Sequence, residues 1–319
     1  MKKKQTTIAS EASISGKGLH TGCAVTIKLQ PAPANHGIVF QRIDLHGQPT
    51  VKAHISNVID TSRSTSLQEN GAIVKTVEHL LAALAGMSID NLLVLINAEE
   101  MPILDGSAAP FVHIIEKTGI MDLSEPREYI SVEEVVKFEK PDVGIELILV
   151  PAEKFTVSVM VDYGTSVLSS QYASIKKMEE FVENIAPCRT FVFLHELQYL
   201  IKHNLVKGGE LDNAIVFVDK KPDPEILEEI GTFFNKKDIQ INENGTLNNV
   251  QLQYLNEPAR HKLLDLLGDL YLLGKPIKGE IIARKPGHFA NIEFVKLIHE
   301  TTSPATTALA SPLHCKNSR

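Results

Sequence analysis

Cysteine is scarce in this chain. Cys23, Cys188 and Cys315 are odd in number, widely separated and free of any CxxC spacing, which excludes a disulfide framework and a thiolate zinc knuckle and fits a reducing, cytoplasmic compartment. Long apolar runs are missing too. The longest, such as Asn91 to Ile96, are strand-sized and far short of the ~20 residues that span a bilayer, so no integral membrane segment is expected. The basic start MKKKQTT has no apolar stretch behind it and lacks the inserting part of a secretory signal. Positive charge is not in excess either: 32 Lys and Arg face 39 Asp and Glu for a formal charge of −7, which speaks against nucleic acid as a partner. The stretches around Gly16-Lys17-Gly18 and Lys207-Gly208-Gly209 lie in no phosphate-loop or dinucleotide fingerprint, and His195-Glu196-Leu197-Gln198-Tyr199 lacks the second histidine of HExxH and reads as surface helix.

What is present, 43% hydrophobic and 22% charged residues in 319, suffices for one large or two ordinary cores. The first 60 residues alternate strand-like runs with turn signals. Thr76 as N-cap and Gly86 as stop bracket a helix in VEHLLAALAGM, followed by the strand IDNLLVLIN, the turn MPILDGSA and the helical pattern PFVHIIEKTG. Polar DLSEPRE at 122–128 marks a boundary, giving a first α+β domain over 1–126, a second over 127–298, and a Ser/Thr/Pro/Ala tail over 299–319 that reads as disordered. The second domain shows strands over 130–163, a helix near 175–185, the strand LDNAIVFV at 211–218 and a last long helix from near Pro258. IDNLLVLI (89–96) echoes LDNAIVFV, and HLLAALAG (79–86) echoes HKLLDLLG (261–268). Two related halves that each present a histidine-bearing helix would place a site between them.

The helix after Pro258 holds the most chemistry. Leu263, Leu266, Leu267 and Leu270 share one face, and His261, Asp265 and Asp269 line up one turn apart on another, as a metal-binding pair or as a solvated polar face. About 1.5 HxxxD/E matches are expected by chance in this composition, so the spacing does not decide. A third ligand would come from His79, with Glu78 beside it to take a proton from water; the plainer alternative is a partly buried histidine at a helix start. His288, after Pro286-Gly287, could be a general acid or an ordinary loop histidine. Thr190 could donate to an oxyanion while Phe191 and Phe193 line an apolar wall, or all three could belong to a plain strand. Lys262 could hold a phosphate or simply face solvent.

Seven ordered motifs carry a resemblance: SGKGLHTG (15–22), TVEHLLAAL (76–84), NAEEMPILDGSA (97–108), CRTF (188–191), KGGELDNAIV (207–216), RHKLLDLLGDL (260–270) and PGH (286–288). Together they resemble the UDP-3-O-acyl-N-acetylglucosamine deacetylases, zinc amidases of lipid A synthesis, over roughly residues 5 to 298. The resemblance implies an α+β fold of two topologically similar domains, with helices packed between two β-sheets and the active site at their junction. It implies a Zn2+ ion on His79, His261 and Asp265, Glu78 as general base, His288 with Asp269 as acid or cationic stabiliser, and Thr190 at the oxyanion. Lys262 would face the diphosphate of a nucleotide-sugar substrate. An acyl passage would lie within 189–215, including Phe191, Phe193, Leu200 and Leu205. Tyr163 stands where the family suggests a phenylalanine near the uridine. The motifs look most like versions fused to a hydroxyacyl-carrier-protein dehydratase, and since the chain stops soon after PGHFANIEFVKLIHE, an unfused lineage or a truncated form is expected. A monomer is expected. The rival from another class is a non-catalytic protein that binds a UDP-sugar or an acyl chain.

Overall fold

The computed structural model describes residues 3–203 and 205–303. Period-two alternation builds its sheets: in Ala24–Pro31, Val25, Ile27 and Leu29 are buried while Ala24 and Thr26 are exposed. One five-stranded sheet has the spatial order Ala12–Lys17, Ala24–Pro31, Leu92–Ile96, Ile38–Arg42, Thr50–Lys52. Its neighbours run antiparallel except Leu92–Ile96 beside Ile38–Arg42. A second sheet has the order Val136–Lys140, Ile145–Val150, Glu280–Arg284, Thr156–Val161, Gln171–Ile175, and again only its third and fourth strands are parallel. The halves therefore share one topology.

Seven α-helices are described: α1 (Glu78–Gly86), α2 (Ala109–Thr118), α3 (Phe181–Asn184), α4 (Leu194–Lys202), α5 (Pro224–Phe233), α6 (Glu257–Leu270) and α7 (His288–Thr302). α1 and α6 each precede the central strand of their sheet, and α2 and α7 follow it. α1 lies against α6 and α2, α6 against Thr156–Val161 and Gln171–Ile175, and α7 against Val136–Lys140, so the helices form the layers between the sheets. One hydrophobic core runs from Ile8 to Ile298 through both halves. Leu80, Leu81 and Leu84 of α1 are fully buried in it, each worth about 1.5–3 kcal/mol. α4, α5 and a two-stranded parallel sheet of Phe191–Phe193 with Ile215–Phe217 form a lobe with smaller cores of its own.

The glycines that end the echoed helical strings serve close packing. A Cβ on Gly268 would stand 2.2 Å from the Glu78 carbonyl oxygen, and one on Gly86 would stand 2.0 Å from the Phe181 ring. Gly86 is thus the last residue of α1, placed for contact with Phe181 rather than as a left-handed stop.

Several sequence expectations are corrected. Thr76 does not cap α1, which is preceded by Val77 without a side-chain cap; Thr76 has φ of 58° and its hydroxyl reaches Glu100. Running into the polar stretch at 122–128, Ile120–Pro126 adds a strand paired with Lys4–Ile8 of the first half, whereas the helix expected near 175–185 shrinks to a 3-10 turn and α3. The strand echo misleads, because the counterpart of Leu92–Ile96 is Glu280–Arg284, whereas Ile215–Phe217 belongs to the lobe. The last helix is α7, so His288 opens a helix and His299 to Thr302, expected in a tail, continue it. Residues 304–319, including Cys315, lie outside the described residues. No described helix is long and apolar enough to cross a membrane.

Candidate metal and active site

Glu78 and His79 occupy the first turn of α1, and His261 and Asp265 lie one turn apart on α6. Because α6 is enclosed between the sheets, its polar side is buried as well: His261 and Asp265 are 2% exposed and Asp269 is 0%. Where the helices meet, His79 Nε2 and His261 Nε2 lie 3.8 and 3.3 Å from one oxygen, Asp265 Oδ1, and the two rings meet edge-on. That buried oxygen has no hydrogen-bond partner. An unpaired carboxylate oxygen facing two imidazole nitrogens is costly unless a cation completes it, and the three ligand atoms lie within 4.8 Å of one another. His261 Nδ1 donates to the Cys188 carbonyl at 3.0 Å, which leaves Nε2 free to bind. Burial, helped by His261, takes the His79 pKa down to about 3, the neutral state that a ligand needs. Burial opposes the Asp265 charge, yet His261, Lys262, His288 and His79 hold its carboxyl far below the usual range.

Glu78 and His288 face the same spot. Burial raises the Glu78 pKa most, the His288 charge pulls it back, and Asp265 and Asp269 push it up again, to about 7. Its Oε1 is 3.7 Å from His288 Nε2, and its Oε2 accepts from the Thr65 amide at 3.1 Å. Burial would lower the His288 pKa, but Asp269 at 2.9 Å from Nδ1, with Asp265 and Glu78 nearby, raises it to about 9. A base near 7 beside an imidazolium is an arrangement suited to moving protons at neutral pH. Backbone strain gathers here too. Thr76, a β-branched residue in the left-handed region, precedes α1, and Lys285 with φ of 51° precedes the turn into α7.

Two cavities adjoin here. One, of about 400 Å³, is lined by Glu78, His79, His261, Asp265 and His288, together with Thr190, Phe191 and Lys262. The other, of about 700 Å³, is largely apolar and is lined by Leu197, Leu200, Val206, Leu211 and Val216; both share Leu19, His20, Arg63, Thr190 and Phe191.

The chain matches the family model described as LpxC: UDP-3-O-acyl N-acetylglycosamine deacetylase, over residues 5–231 and 230–300. The chain belongs to the LpxC family. It is 41% identical over 316 residues to a bifunctional enzyme LpxC/FabZ of Bacteroides thetaiotaomicron, covering 97% of this chain and 68% of that protein. It is 43% identical over 298 residues to the bifunctional enzyme LpxC/FabZ of Porphyromonas gingivalis, with 93% of this chain covered and only 64% of the relative. It is also 38% identical over 303 residues to a UDP-3-O-acyl-N-acetylglucosamine deacetylase of Chlamydia pneumoniae, covering 94% and 98% respectively.

In this LpxC chain the residues singled out by sequence part into two groups. His79, His261, Asp265, Glu78, His288 and Asp269 converge, and Thr190 and Phe191 line the cavity beside them. Lys262 donates to Asp265 Oδ2 at 2.8 Å while also bordering the cavity. Phe193, by contrast, is buried with Leu168, Ile215 and Phe217 and lines neither cavity. Tyr163 packs edge-on against Phe191 and Phe193 and also lines neither. Leu200 lines the apolar cavity; Leu205 instead offers its carbonyl to His20 Nδ1.

Sequence reasoning missed Thr65, Asn291 and Glu100. Thr65 donates its hydroxyl to Asp269 at 2.5 Å and its amide to Glu78, and Asn291 donates to Asp269 at 2.8 Å. Glu100, 1% exposed, accepts from the His20 and Thr21 amides and from the Thr21 and Thr76 hydroxyls. It thereby holds the 18–21 loop at the mouth of both cavities. Gly208, whose amide donates to the Leu19 carbonyl, joins the motif at 207–216 to that loop. Glu100 and Asn291 could have been found, since Glu100 sits inside a matched motif and Asn291 lies one turn after His288.

Proposed function

We propose that this chain hydrolyses the N-acetyl group of a UDP-3-O-(3-hydroxyacyl)-N-acetylglucosamine in lipid A biosynthesis, releasing acetate, with zinc as its metal. The observation that carries the reading is the unpartnered Asp265 oxygen facing the His79 and His261 nitrogens, in a cavity that Glu78 and His288 also enter. Two imidazoles and one carboxylate are a donor set suited to catalytic zinc, which would supply Lewis-acid polarisation of the amide carbonyl.

The protein's own groups supply the rest. Glu78, whose burial raises its carboxyl pKa to about 7, accepts a proton from the attacking water. Protonated His288, held by Asp269, stabilises the developing oxyanion and passes its proton to the departing amine. Thr190 adds a hydroxyl donor on the cavity wall, and Lys262 offers a cation to the substrate diphosphate. Tyr163 stands near the uridine in this reading, behind the Phe191 ring. The apolar cavity takes the acyl chain. Exposed Cys23 and buried Cys188, both free thiols, accord with a cytoplasmic setting.

The test is stoichiometric. The protein should bind one equivalent of zinc and release acetate and free amine in equal amounts, and Glu78→Gln should retain the metal while turnover falls about 10²–10⁴-fold. Zinc-loaded protein that binds the nucleotide sugar without releasing acetate would establish the non-catalytic reading instead.

A further inference from the structure

We propose that Phe234 closes the acyl passage and sets the longest acyl chain that this protein deacetylates efficiently. The inference rests on the deacetylase reading and adds to it the residue that measures the substrate. The apolar cavity continues from the catalytic one through Thr190 and Phe191, so a chain attached to the reacting sugar has one apolar direction to follow. Phe234 lines the apolar cavity and not the catalytic one.

The ring is fixed by its surroundings. Phe234 immediately follows α5, and its amide donates to the Ile230 carbonyl at 3.0 Å. The chain then turns back on itself, with the Lys236 amide donating to the Gly231 carbonyl at 2.8 Å. Lys236 Nζ also pairs with Asp212 at 3.2 Å, next to Leu211 in the cavity wall. Ile230 is 2% exposed in the core of the lobe, and the half-buried Phe234 packs against that core. An aromatic ring anchored on this side acts as a wall, and a methylene that reaches beyond it must displace packed side chains.

A hydrophobic pocket discriminates a single methylene by about 10- to 200-fold, so a ring at the end of the passage converts acyl length into rate. The experiment measures kcat/KM of the full chain on UDP-3-O-acyl-N-acetylglucosamines whose acyl chains lengthen two carbons at a time. Phe234→Ala should move the optimum to longer chains and raise kcat/KM at the first excluded length by at least about tenfold. Phe234→Leu, which removes less volume, should shift it in the same direction, and Phe234→Trp should shorten it; bound zinc in each variant reports that the fold is intact. An optimum unmoved in all three variants overturns the proposal and leaves deacetylation standing. If the unmodified chain releases acetate from no member of the series, the deacetylase reading falls, and this inference with it.

Discussion

The two halves share a strand order and a pair of helices at matching places, yet they carry unequal chemistry. α1 presents Glu78 and His79 in its first turn and then turns wholly apolar, with Leu80, Leu81, Ala82, Ala83 and Leu84 at 0% exposure. α6 keeps polar groups along its length, burying His261, Asp265 and Asp269. The following helices differ in the same way, since α2 opens with Ala109 and α7 with His288. A repeated scaffold therefore supplies position, while Glu78, the base of the proposed reaction, comes from one half and His288, its proposed acid, comes with Asp269 from the other. Neither half contains the whole site.

The hardest way to break this division is to remove a ligand from either side. His79→Ala in the first half and His261→Ala in the second should both reduce bound zinc from one equivalent to almost none, with activity lost alongside, as measured by elemental analysis of folded protein. Full metal content in either variant would show that the halves do not share the ion. A smaller effect should follow Asp269→Asn, which removes a negative charge from the second half. Turnover at neutral pH should drop about 10²-fold, and both limbs of the pH–rate profile should move to lower pH. The alkaline limb falls from near 9 because His288 loses its main partner, and the acid limb falls below about 7 because Glu78 loses a nearby carboxylate. Limbs that stay in place would assign them to other groups. The smallest change separates the two equivalent glycines. Gly268→Ala places a methyl against the Glu78 backbone, so it should cost about 1–3 kcal/mol of stability and weaken zinc binding. Gly86→Ala meets the Phe181 ring first, away from the Glu78 backbone, so melting temperature should fall while zinc affinity holds. Equal loss of zinc in both would remove the helix crossing as the element that sets the site.

The helical part of this scaffold was legible because its signals are local: a histidine, two apolar turns and a glycine recur at fixed spacing. The strand pairing was not, since EIIAR at 280–284 bears no likeness to LLVLI at 92–96, and LDNAIVFV drew the comparison to the wrong place. His79, His261 and Asp265 were recognisable through a family pattern, whereas their spacing alone is common in any chain of this composition. Asp269 read equally well as a solvated residue, because a helix enclosed between two sheets buries a polar face that periodicity assigns to water. Thr65, in SRSTSL, carries no spacing signal. Its role depends on a hairpin loop brought to α6 and α7 from more than half the chain away, which only the fold reveals.

That separation also orders events during synthesis. His79 leaves the ribosome long before Asp265, by roughly ten to forty seconds at 5–20 residues per second. During that interval the first half holds Glu78 and the His79 imidazole without His261 and Asp265, the other two groups of the candidate site. The apolar turns of α1 wait for α6 in the same period, because the single core spans both halves. On the proposed metal assignment, tight uptake would follow docking of the second half, and a bound ion would certify a finished molecule.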